Sequence, residues 1–317
     1  MSPSRTAVLS DVWKDGIFDN KVVFCTGGAG SICSVQVRAL VLLGANAAIV
    51  GRNPEKTRQV ATDIAKSRDG AKVIGIGGVD VRNLESITAA ATKCAEELGG
   101  IDFVIAGAAG NFVAPISRLS ANGFKSVIDI DLIGSYNTFK ATVPYLLISA
   151  AKHGSKNSTG SLLGTGGRIV FISATFHYAG TPFQAHVGAG KAGVDALSSS
   201  IAIEYGPMGI ISNVIAPGPI ADTEGMRRLA AEDGEKTARH GVPLGRWGRK
   251  KEIADATVYL FSDAGDFVNG TIQVVDGAAW RLGALATASL EYPGILETYL
   301  EGSPDLTPLP ARPKSRI

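Results

Sequence analysis

The chain has little that marks a specialised surface. Its 31 Lys and Arg against 29 Asp and Glu leave a formal net charge of +2, so no field of one sign points to nucleic acid. Cysteine is scarce: Cys25, Cys33 and Cys94 are the whole set, and their spacing fits no metal-ligand pattern. Neither a disulfide framework nor a metal centre is expected, and reduced, buried thiols of an intracellular protein are. No uninterrupted apolar run reaches the roughly 18 residues of a membrane helix, so membrane insertion is not expected. Asp11, Lys14 and Asp15 lie near the N-terminus without a long apolar run, which argues against a signal peptide.

What is present is apolar residue and glycine. With 317 residues and 45% hydrophobic content, the chain can bury one large core. Its 39 glycines gather at junctions where short β-branched runs give way to helical patterns. That alternation predicts an α/β protein, a single Rossmann-type doubly wound domain with a seven-stranded parallel sheet and helices on both faces. The predicted strands are 21–26, 47–51, 72–76, 103–106, 168–172, 212–215 and 272–275, with helices over 35–43 and 54–66 after the first two. Residues 1–15 read as an N-terminal extension, 16–282 as the nucleotide-binding domain, and 283–317 as a Pro-rich tail. The segment 153–167, rich in Gly, Ser and Thr, reads as a surface loop.

The first strand runs into Thr26-Gly27-Gly28-Ala29-Gly30-Ser31-Ile32-Cys33, which opens a helix. Backbone N–H groups at a helix start offer donors and a positive dipole end to a pyrophosphate. Gly27, Gly28, Gly30, Ser31 and Ile32 are therefore candidate cofactor contacts. Arg52 ends the second strand, where an acidic residue would hold the ribose hydroxyls of NAD. A guanidinium there suits a 2′-phosphate, making NADPH the expected cofactor; a solvated helix-start residue is the plainer alternative.

Together with that turn, Asp80-Val81, Lys191, Pro217-Gly218 and Val275-Asp276-Gly277 occur in an order and spacing that resemble the short-chain dehydrogenase/reductase family, from about residue 16 to 282. The resemblance implies that Asp80 and Val81 meet the adenine, and that Ala108, Lys191, Pro217, Gly218, Ile220 and Thr223 also hold the cofactor. The chain departs from the family at telling places. Ser31 and Cys33 stand where the family has glycines, and Ala108-Ala109-Gly110-Asn111-Phe112 replaces an Asn-Asn-Ala-Gly run. A tyrosine should precede Lys191 by four, but Val187 stands there, and the family's serine falls on Ala174. Asp131, on the fourth long helix, takes the place of the family's asparagine.

This set of departures, with Thr223-Glu224-Gly225 and Arg227-Arg228-Leu229, resembles the peroxisomal 2,4-dienoyl-CoA reductase branch of the family, its fungal members most closely. The implied activity is NADPH-dependent reduction of 2,4-dienoyl-CoA to 3-enoyl-CoA in fatty acid β-oxidation, with hydride to Cδ and water-mediated protonation at Cα. Such a reduction needs donors at the distant thioester oxygen and no phenol at the point of hydride attack. Val187 and Ala174 would leave apolar room for the diene.

Asp131 and Lys191 are the expected catalytic pair, with two readings of Asp131 open: it polarises a water, or it forms an ion pair that only positions Lys191. Asp276 reads as structural, His186 as a packing residue, and Trp280 as a core or interface aromatic, while Tyr178 could offer a stand-in phenol. By resemblance, Arg82, Phe112, Ser120, Ala121, Asn122 and Arg228 hold the acyl-CoA, although Arg227-Arg228 could equally be a solvated helix face. Ser315-Arg316-Ile317 looks like a relaxed peroxisomal address read by the import receptor. A homo-oligomer is expected. Two other readings stay open: a reductase of another conjugated thioester or secondary metabolite, and a non-catalytic NADP-binding scaffold.

Overall fold

The computed structural model describes residues 3–153, 155–156, 162–163, 166–229 and 242–282. Seven strands form one parallel sheet: β1 (Val22–Thr26), β2 (Asn46–Gly51), β3 (Val73–Gly77), β4 (Phe103–Ala106), β5 (Arg168–Ile172), β6 (Ile211–Pro217) and β7 (Ile272–Val275). Their order is β3-β2-β1-β4-β5-β6-β7. The chain winds outward one way from β1 and then the other way from β4, so the two halves part between those strands. In such sheets the crevice beyond the carboxyl ends at that parting is where ligands bind. Every expected strand is present, with ends shifted by at most two residues.

The central strands are apolar throughout because both faces are covered. Side chains alternate between two cores, as the period of two requires. Val23 and Cys25 of β1, Ile49 of β2 and Phe103 of β4 enter one core, with helices α1 (Cys33–Leu42) and α7 (Lys250–Phe261). Val22, Phe24, Val50 and Val104 enter the other, with α3 (Leu84–Leu98), α5 (Gly134–His153) and α6 (Ala185–Tyr205). Helix α2 (Pro54–Ala65) packs beside β3. Pro54 at its first turn and Asn53, whose side chain accepts from Lys56 N, fix its start. Helix α4 (Ala121–Ile128) starts at Ser120, whose Oγ accepts from Gly123 N at 3.0 Å. A π-helical turn, Asp129–Ile133, joins it to α5.

The N-terminal extension is anchored to the domain. Val8 and Leu9 are buried in the first core, and Asp255 on α7 accepts from Ser10 N, Ser10 Oγ and Trp13 Nε1 at 2.7–2.9 Å. Within the segment read as a loop, Ser155–Lys156 and Leu162–Leu163 instead pair as a short antiparallel ladder. Two-residue strands give too little pattern to be seen in a polar sequence. The three cysteines are free and buried, and no described helix is long and apolar enough to cross a membrane. The tail and its terminal tripeptide lie outside the described residues.

Phe103 is fully buried, stacked on Phe261 at 4.7 Å and edge-on to Phe18 at 5.4 Å. Phe103→Ala should therefore destabilise the domain by about 3–5 kcal/mol, read as a lowered urea midpoint at unchanged slope.

Candidate active site

At the end of β1 the backbone must turn sharply, and Gly27 does so with φ +67°. A Cβ there would lie 2.7 Å from Gly107 O, so only glycine fits. The turn feeds the start of α1 and forms one wall of a cleft of about 500 Å3. Gly27, Gly30, Ser31 and Ile32 line it from the turn, and Arg52 with Lys56 from the end of β2 and the start of α2. Pro217, Gly218, Ile220 and Thr223 line the opposite side, with Lys191 between. Gly28 faces inward instead, where a Cβ would meet Ile49 Cβ at 2.6 Å. A smaller cavity of about 120 Å3 adjoins the cleft, bounded by Arg52, Asp80, Val81 and Ala108.

Both departures from the glycine pattern have visible partners. Ser31 Oγ accepts from Glu224 N at 3.3 Å, tying the turn to the short helix Glu224–Leu229. Cys33 fits because residue 107 is glycine: a Cβ at Gly107 would lie 2.3 Å from Cys33 Sγ. Cys33 Sγ thus occupies space that only a glycine at 107 leaves open.

Lys191 is buried on α6, and its Nζ donates to Ile172 O at 2.9 Å. The same ammonium lies 3.1 Å from Asp131 Oδ2, an ion pair whose angles are not those of a hydrogen bond. Asp131 Oδ1 accepts from Gly110 N at 2.7 Å. Asp131 sits in the π-helical turn, is 0% exposed and does not line the cleft. This favours the positioning reading over a carboxylate that polarises a water. Val187, in the tyrosine's place, is buried, and Ala174 lines the cleft, so neither position can donate a proton.

The acyl-CoA candidates divide. Phe112 and the start of α4 come together, since a Cβ on Gly123 would lie 3.3 Å from Phe112 Cζ. Ser120, Ala121 and Asn122 form that helix start, with the Ser120 hydroxyl already engaged as its cap. Arg82, placed by resemblance among the acyl-CoA contacts, grips Asp80 through Nε and one terminal nitrogen at 2.5–3.0 Å. Arg82 beside Asp80 holds that carboxyl below the usual range, with Arg52 adding a little. The near-neighbour spacing makes this pairing easy, and sequence alone cannot weigh it against a distant ligand. Arg228 belongs to the short helix Glu224–Leu229, but its side chain lies outside the described residues.

His186 is fully buried, with its ring 4.3 Å from that of Phe112 and Nε2 3.0 Å from Phe112 O. Burial pushes its pKa down, so the neutral ring donates from Nε2 and holds Phe112 in place. Tyr178 is no stand-in phenol. Its hydroxyl donates to Asp195 Oδ2 at 3.0 Å, and burial, then the Asp195 charge, push its pKa up. Asp276 accepts from Ala278 N and Trp280 N, both at 2.8 Å, as a turn-capping carboxylate does.

Asp195 and Ser173 escaped the sequence reading. Asp195, one helical turn beyond Lys191, also bonds His177 Nε2 at 2.7 Å; its spacing from Lys191 was the available signal. Ser173 and Asn111 line the cleft with buried side-chain oxygens that have no partner among the described residues. Ser173 lies next to Ala174, and only that adjacency could have marked it.

The family described as enoyl-(acyl carrier protein) reductase matches residues 27–278. The chain is 53% identical over 277 residues to the peroxisomal 2,4-dienoyl-CoA reductase, (3E)-enoyl-CoA-producing, of Saccharomyces cerevisiae, covering 87% of this chain and 89% of that one. It is 38% identical over 274 residues to the Danio rerio protein of the same description, covering 86% of each. Among solved structures, a short chain dehydrogenase from Bacillus anthracis superposes with a TM-score of 0.68 at 34% identity, covering 82% of this chain and 96% of that one. Levodione reductase superposes with a TM-score of 0.73 at 25% identity, covering 83% and 99%.

Gly107→Ala should cost about 1–3 kcal/mol by crowding Cys33, and Cys33→Ala in the same chain should recover much of that loss. A double-mutant cycle of urea midpoints measures the coupling; strictly additive effects would show that the two walls do not compensate each other.

Proposed function

The chain belongs to the short-chain dehydrogenase/reductase family, and we propose that it reduces 2,4-dienoyl-CoA to 3-enoyl-CoA with NADPH in the peroxisome. The observation that carries this reading is the retained, buried Lys191 beside a position, Val187, that cannot move a proton. A carbonyl reduction would need a proton donor at the carbon's own oxygen. Conjugate reduction of a dienoyl thioester does not.

The family uses a nicotinamide cofactor, and the residues present fit one. The turn at Gly27 leaves a cradle that a Cβ would fill, and α1 presents its N-terminus there. When bound, the cofactor supplies the hydride. For NADPH over NADH the support is Arg52, with Lys56 one helical turn beyond, both lining the cleft where the ribose of the adenosine half would lie. Lys191, steered by Asp131 and Ile172 O, would hold the nicotinamide ribose in place. Asp131 acts through Lys191 as a positioning residue. His186 and the start of α4 would hold Phe112 and the acyl-CoA beside it. Homo-oligomer assembly is also proposed, supported by Phe267 and Ile203, apolar side chains that are 104% and 78% exposed. The address for import would be Ser315-Arg316-Ile317.

Mixing the protein with NADPH and a 2,4-dienoyl-CoA should bleach the NADPH absorbance band and yield the 3-enoyl product. Deuteride from labelled NADPH should arrive at Cδ; label at a carbonyl carbon, or no turnover, would remove the proposal. Arg52→Asp should weaken NADPH by about 2 kcal/mol or more while sparing NADH. Titration of both cofactors tests this, and equal affinities in the unmodified protein would count against it. Lys191→Ala should lower kcat by about a hundredfold or more.

A further inference from the structure

Ser173 is 4% exposed and faces the cleft, yet among the described residues its Oγ meets no donor or acceptor. Leaving a hydroxyl buried and unpaired costs about 1–3 kcal/mol, and an alanine there would avoid the cost. Buried polar groups almost always have partners, so a serine kept in this state points to a ligand group. The backbone is not available for that contact, because Ser173 N already donates to Ile215 O at 2.8 Å. Across the same cleft, Asn111 Oδ1 is likewise buried without a protein partner.

Ser173 also stands where the proposed chemistry lacks a donor. It follows Ile172, whose carbonyl receives Lys191 Nζ, and precedes Ala174, which has lost the family's hydroxyl. In the proposed reaction hydride adds at Cδ and both double bonds shift one place toward the thioester. The electron pair then reaches the thioester oxygen as a dienolate. When Cα takes a proton from water the carbonyl re-forms, and the double bond stays between Cβ and Cγ. Val187 and Ala174 can donate nothing to that oxygen, and Lys191 directs its ammonium at Ile172 O and Asp131.

We propose that Ser173 is a catalytic residue whose hydroxyl donates to the thioester oxygen of the dienoyl-CoA as negative charge gathers there. This rests on the reductase reading above. The hydroxyl lies one residue upstream of Ala174, the place of the family's serine, and serves the oxygen remote from hydride attack. A donor of this kind acts on the transition state more than on ground-state binding.

The test compares Ser173→Ala, Ser173→Thr and Ser173→Val in the full chain. Kd for NADPH is read by fluorescence titration, and kcat and KM with a dienoyl-CoA from the NADPH absorbance. Ser173→Ala and Ser173→Val should lose about a hundredfold in kcat, with KM and the NADPH Kd changed by no more than about twofold. Ser173→Thr, matched in shape to Ser173→Val, should keep most of the rate because it keeps the hydroxyl. Unchanged kcat in Ser173→Ala overturns the proposal, as does a loss that falls mainly on NADPH binding, since the hydroxyl would then serve the cofactor. If Ser173→Thr is as slow as Ser173→Val, the hydroxyl is not what matters and the proposal also fails. Failure of the unmodified protein to turn over dienoyl-CoA would instead remove the reductase reading.

Discussion

The buried pairing of Lys191 with Asp131 is the constraint around which the site is organised. Two charges removed from water are expensive unless their other bonding positions are filled. Here Lys191 reaches Ile172 O at the end of β5, and Asp131 receives Gly110 N from the segment after β4. One ion pair thereby joins α6, the π-helical turn and the ends of two adjacent strands. The π-helical turn is itself a departure from regular helix, a feature that often marks functional positions. It sets Asp131 facing Lys191 inside the protein.

With that frame fixed, the rest of the cleft could lose its usual proton donors. Val187 is buried at the tyrosine's place and Ala174 lines the cleft at the serine's, so neither position offers a proton beside the lysine. Polar character survives at Ser173 and Asn111. In the nucleotide turn Cys33 fills space that Gly107 leaves open, and Ser31 Oγ accepts from Glu224 N. Substitutions that weaken the turn as a motif are local repackings of the same shape.

Much of the fold was legible because its signals are local. Apolar runs of four to seven residues bounded by turns gave every strand of the sheet, as a parallel sheet covered on both faces requires. The dinucleotide turn, Arg52, Asp80 and Lys191 were legible for the same reason, since each follows directly on a strand end or lies on one helix. The ladder near residue 160 was not, because two-residue strands carry no periodicity.

Sequence by itself thus determined the sheet, the nucleotide turn after β1, and the loss of the phenol at residue 187. Which polar groups are already partnered was decided by the tertiary structure. Arg82 turned onto Asp80, Tyr178 onto Asp195, Asp276 onto its own turn, and Asp131 into the interior, while Ser173 was left facing the cleft without a partner among the described residues. The reason is physical: strand and helix formation follow from periodic burial along the chain, which the residues carry. The state of a polar side chain depends on which of several groups, near in the chain for Arg82 and Asp276 and far for Asp131, lies within 3 Å or so once the core has closed.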